Sequence, residues 1–262
     1  MNVGPKGLPL ATPEPSRGDL LPIDDMRWNQ GEIGHNEPVY TSQFSEMAKI
    51  GPFASTCQSA HIIGHVIKHR DEAHATHSAQ LDEALRLHAT LTTLDNRLQQ
   101  DINVNYTGGV HSDSLVDLAL CCLGRLTLYN MYACNMAFSQ ERIPQEGDMQ
   151  AISLAGIKSI ISEPVPVIAR IVLEGGENAL ATTSPLTLQC LYHAGTECKW
   201  FVRESPRSDM RVSLQLVMDA LTLLANRWKV AGMKIVHLFD FGCSSLTRHK
   251  TTDVYLKLLS QA

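Results

Sequence analysis

The sequence predicts an all-α protein, an irregular multi-helix domain behind an extended N-terminal arm. Three observations predict it. From Phe53 to Trp228 apolar residues recur at steps of three and four, the spacing that places them on one helix face. Helix-start signals recur over the same span, while hairpin signals do not. The first fifty residues are rich in Pro, Gly, Asp, Glu and Asn and hold no sustained period. The division read from this is a loop-rich arm at 1–50 and a helical domain at 51–262.

In chain order, Trp28, Tyr40 and Phe44 are the aromatic side chains expected to pack the arm on the domain. Ala84, Leu87, Leu91, Leu94 and Leu98 form an apolar stripe, with Asp82, Glu83, Arg86, Asp95 and Arg97 expected to face water. Ser114 and Asp117 stand three apart as a capping box, a hydroxyl and a carboxylate that satisfy free amides at a helix start. Leu115, Leu118, Cys122, Leu126 and Tyr129 continue the helix from there. Residues 165–172 are β-branched enough for a strand, but their polar residues do not alternate. Pro164 and Pro166 must split or kink the helix around Ile160, since proline removes a backbone donor and clashes with the preceding turn. Gly108-Gly109 and Gly175-Gly176 read as turns. Ser184-Pro185 and Ser205-Pro206 are start signals: serine caps the open amides, and proline in the first turn lacks only an N–H that would go unpaired. Leu188, Leu191, Gly195, Cys198 and Val202 follow the first signal. Leu214, Val217, Met218, Leu221, Leu224, Ala225 and Trp228 follow the second.

Composition excludes several classes. Twenty-two Lys and Arg against 27 Asp and Glu give a net charge of −5, the wrong sign for a duplex binder that gains affinity by neutralising phosphates. No Lys/Arg-rich run compensates, so no direct sequence-specific DNA binding is expected. The N-terminus has no apolar signal segment, and the seven Cys are expected to stay reduced. The apolar stretch 151–173 is broken by Lys158, Glu163, Pro164, Pro166 and Arg170, so no membrane span is expected.

The strongest chemical pattern is His61, His65 and His69, spaced four apart. On a helix these imidazoles share one face, and two of them could ligate zinc. The H-E-x-x-H pattern of metalloproteases is absent, and only Asp71 and Glu72 lie near as bases. The expected reading is a solvated face opposite Ile62, Ile63, Val66 and Ile67. Phosphate-cradling glycine loops and nucleophile elbows do not occur. Cys243 has no base supplied nearby, and Glu197 with Glu204 reads as a solvated pair. The sequence therefore predicts no catalytic, cofactor-binding or metal-ligating residue and no enzyme.

Four blocks carry a resemblance. Leu21, Pro22, Asp24, Asp25, Trp28, Gly31 and Glu32 are similar to a block of the regulatory, or middle homology, region of fungal zinc-cluster transcription factors. Residues 51–61, 184–194 and 221–231, the last with Arg227-Trp228, resemble three further blocks in the same order. The resemblance implies a nuclear transcription regulator of a nutrient or secondary-metabolism pathway, whose helical region acts through protein partners. It also implies a six-Cys zinc module that reads DNA. Here the sequence departs, having no Cys before Cys57 and no C-x-x-C pair. The departure implies a piece of a longer factor, a truncated product, or a regulator that does not touch DNA. The alternatives are a helical metal-dependent hydrolase using the His61/His65/His69 face and a plain interaction or scaffold module.

Overall fold

The computed structural model describes residues 14–16, 18–32, 38–39, 51–71, 76–105, 112–133, 144–204 and 209–240. Among them are nine helices and no strand, with one isolated bridge between Leu20 and Pro38. The helices are α1 (Asp25–Gln30), α2 (Pro52–Asp71), α3 (His77–Asn105), α4 (Ser112–Tyr132) and α5 (Pro144–Ser162). They continue with α6 (Pro164–Thr182), α7 (Pro185–Glu204), α8 (Asp209–Ala225) and α9 (Lys229–Asp240). The all-α expectation holds for these residues. The chain divides into two compact units, Met1–Pro164 and Val165–Ala262. That division falls inside the span 51–262 that the sequence reading treats as one helical domain.

Helix starts follow local chemistry. Proline opens α2, α5, α6 and α7, where its fixed φ suits the first turn and its missing N–H costs nothing. Ser184 caps α7, its Oγ accepting from Leu186 N at 3.2 Å. The split at Pro164 is as the sequence predicts, and 165–172 is helix within α6, not strand. Gly176 interrupts α6 with φ +50°, a left-handed conformation that glycine adopts without a Cβ penalty. Gly108-Gly109, Ser205-Pro206, Tyr40 and Phe44 lie outside the described residues.

In the first unit α4 packs against α2, α3 and α5. Leu115, Leu118, Ala119, Leu120, Cys121, Cys122, Leu126, Leu128 and Tyr129 are all buried, as befits a helix apolar on every side. Gly124 admits Ile63 and Leu91 from α2 and α3; a Cβ there would stand 3.0 Å from Ile63 Cγ1. Of the predicted stripe, Ala84, Leu91, Leu94 and Leu98 are buried and Leu87 is half-buried. The capping-box reading is corrected. Helix α4 begins at Ser112, ahead of Ser114, and Asp117 is buried, accepting from Thr56 Oγ1 at 2.6 Å.

The arm is anchored differently from the sequence expectation. Trp28 is 74% exposed, whereas Leu21 is 1% exposed and serves as the apolar anchor. Asp24 caps α1, its Oδ1 accepting from Met26 N at 3.0 Å and Arg27 N at 3.1 Å. Gly31 closes the helix at φ +70°. The cap sits against the entrance to α2, where a Cβ on Gly51 would stand 2.8 Å from Asp24 Cα.

In the second unit α7, α8 and α9 pack together. Leu188, Leu191 and Cys198 of α7 are buried with Val217, Leu221 and Leu224 of α8 and Ala231, Ile235 and Leu238 of α9. Gly195 marks the convergence: a Cβ there would meet Leu238 Cδ1 at 3.1 Å and Val217 Cγ1 at 3.2 Å. Cys57, Cys121, Cys122, Cys190 and Cys198 are free thiols.

Candidate functional site

The first unit threads polar side chains through its apolar core. Helix α4 contributes Asp117, Arg125, Tyr129 and Tyr132, all buried. Arg125 forms an ion pair with Asp95 of α3, the two side chains being 7% and 6% exposed. Gln99 Nε2 donates to the same Asp95 oxygen at 2.9 Å. Arg125 Nε lies 3.4 Å from the Tyr129 hydroxyl, which also meets His88 Nδ1 at 2.8 Å. The series Asp95–Arg125–Tyr129–His88 thus runs from the core to a half-buried histidine.

This arrangement overturns one expectation and explains the charges. The sequence places Asp95 toward water, but the structure buries it, because Arg125 thirty residues on supplies its counter-ion. Burial is the largest single influence on Arg125 and opposes its positive charge, yet the Asp95 carboxylate, Tyr129 and Cys122 together outweigh it and raise its pKa above the ordinary arginine value. His88 is lowered, first by burial and then by the Arg125 guanidinium. Nearby, Arg97 donates to Gln58 Oε1 at 3.1 Å, joining α3 to α2.

The three histidines of α2 do not act as one group. His69 is fully buried, its Nε2 2.7 Å from the Tyr132 hydroxyl and its Nδ1 3.4 Å from Glu83. That corrects the solvated-face reading, since a helix packed on α4 and α3 buries more than one stripe. Burial first, and the Glu83 carboxylate second, push Tyr132 up to about 12. His61 and His65 remain half-buried, with their Nε2 atoms 3.1 Å apart and rings edge to face. Burial and the neighbouring His65 lower His61, against a smaller opposing effect of Glu14. Among the described residues no group of three or more His, Cys, Asp or Glu side chains is close enough to hold a metal ion.

The remaining candidates are separate. Glu204 is exposed and pairs with Arg203 at 3.6 Å, while Cys243 lies outside the described residues. Trp200 and Phe201 stack edge to face at 4.8 Å. Trp228, between α8 and α9, lies under the Arg227 guanidinium at 4.9 Å. Both tryptophans are half-buried. Exposed large apolar groups among the described residues are Leu20, Met26, Trp28 and Phe53 in the first unit and Leu186, Val212, Val230 and Met233 in the second.

Sequence reasoning missed the roles of Arg125, Tyr129 and Tyr132. One signal was available: Asp117 and Arg125 are the only charges between Leu115 and Tyr132, and a lone charge in an apolar helix needs a buried partner. Compared with known protein families, with curated proteins and with solved structures, the chain matches none.

Proposed function

We propose that this chain is a transcription-regulatory domain that works in the nucleus through protein contacts, as part of a fungal pathway or metabolite-cluster regulator. It acts without reading DNA or crossing a membrane, and it is not an enzyme. One observation carries the reading. In the block that resembles the fungal regulatory region, Leu21 anchors the arm, Asp24 caps α1 and Gly31 ends it. Trp28 has no such internal role and stands 74% exposed. A large exposed aromatic is the side chain most able to supply binding energy at a protein interface. Supporting it are the net charge of −5 and the buried pairing of Asp95 with Arg125, which holds these charges apart from any reactive role.

The test fuses the whole chain to an unrelated DNA-binding domain and reads a reporter in a fungal host. The fusion is expected to change reporter output, and Trp28→Ala is expected to remove most of that change without altering thermal stability. A fusion with no effect on the reporter contradicts the regulatory reading. An effect undiminished by Trp28→Ala contradicts the role of that side chain.

A further inference from the structure

His61 and His65 lie one turn apart on α2, and their Nε2 atoms converge to 3.1 Å. A hydrogen bond at that distance needs one nitrogen to carry the proton and the other to accept it, so at most one ring is protonated. Two imidazole nitrogens bound to one zinc at about 2.0–2.1 Å and a near-tetrahedral angle lie about 3.3 Å apart. The pair is therefore spaced almost as a chelate already. Glu14 approaches from the arm, its Oε1 3.8 Å from His65 Nε2. Its other oxygen accepts from Lys68 Nζ at 3.0 Å, which aims the first oxygen at the histidines.

We propose that His61 and His65 chelate a divalent transition-metal ion, with the Glu14 carboxylate closing the site and fastening the arm to α2. Glu14 does not yet complete it: two donors on one ion lie about 3.0–3.3 Å apart, so its oxygen must close by about half an ångström. Imidazole and carboxylate donors suit zinc, nickel and copper more than calcium or magnesium. Binding leaves the proton count unchanged. The ring that donates through Nε2 moves its hydrogen to Nδ1, and both Nε2 lone pairs then point at the ion. His69 takes no part, because its ring is committed to Tyr132 and Glu83. The Lys68 charge opposes the ion, which makes its salt bridge to Glu14 a positioning contact and places the binding energy on the imidazoles.

The experiment titrates the purified full chain with Zn²⁺ alone, by calorimetry and by thermal unfolding. One ion per chain is expected, with a rise in Tm, since an ion that binds only the folded state stabilises it. His61→Gln and His65→Gln are each expected to abolish that uptake, and Glu14→Gln to weaken it about tenfold. His77→Gln, at an exposed histidine paired with Glu146, is expected to change nothing. On the unaltered chain, affinity should fall on acidification, because protons compete with the ion for the imidazole nitrogens. No uptake at neutral pH, uptake unaffected by His61→Gln or His65→Gln, or an affinity independent of pH overturns the proposal. Full retention in Glu14→Gln overturns the closure of the site by the arm.

Discussion

Gly156 on α5 faces the ring of Tyr129 on α4 so closely that a Cβ at residue 156 would stand 2.3 Å from Tyr129 Cε2. The contact fixes how near α5 comes to α4, and with it the position of the hydroxyl that meets His88 and Arg125. Gly156→Ala is therefore expected to destabilise the fold by about 1–3 kcal/mol through overpacking. Urea unfolding measures this, and Tyr129→Leu in the same chain should recover part of the loss. A Gly156→Ala chain as stable as the parent contradicts the packing.

The pair Asp95 and Arg125 is expected to behave as a buried charge pair. Asp95→Asn leaves the guanidinium without its counter-ion and should cost roughly 3–5 kcal/mol. Replacing both residues, Asp95→Leu with Arg125→Met, removes both desolvation penalties and should give a chain more stable than Asp95→Asn alone. The double variant proving the weaker of the two would contradict this account.

His88 and Tyr132, which belong to separate buried contacts, set opposite pH limits. His88 is held below the ordinary histidine value by burial and then by Arg125. A depressed histidine contributes stability that is complete above about pH 6.5 and is lost as pH falls through its folded value. Unfolding free energy should therefore drop on acidification, and His88→Gln should flatten part of that drop. Tyr132 is raised to about 12, so its contribution is complete below about pH 10 and is lost as pH climbs through the folded value. Phenolate absorbance should show a late-titrating tyrosine that Tyr132→Phe removes. Identical pH profiles in parent and variants would show these groups are not so coupled.

Gly176 and Ser184 test the interruption of α6 and the start of α7. No atom lies within 4 Å of a Cβ at Gly176, so Gly176→Ala meets only the positive φ of +50° with ψ −128° and should cost about 1–3 kcal/mol. Ser184→Ala removes the cap on Leu186 N, for an expected loss of about 1 kcal/mol. Thermal unfolding that leaves either variant unchanged contradicts the corresponding geometry.

The sequence by itself determined the helices and their apolar faces. Leu91, Leu94, Leu98, Leu118, Leu126, Leu188 and Leu221 are buried where periodicity puts them, because a helix face is a local property repeated every turn. It also determined the break at Pro164 and the start at Ser184-Pro185, since caps and prolines act within a few residues. What it could not determine is which polar side chains go inside. Asp95, Asp117 and His69 read as surface residues by type, and each is buried against a partner brought by another helix. The convergence of His61 and His65 is local and was legible, while the approach of Glu14, 51 residues before His65, was not. Tertiary structure decided these because a buried charge or imidazole is tolerable only once its partner is in place, and that partner is named by packing, not by spacing.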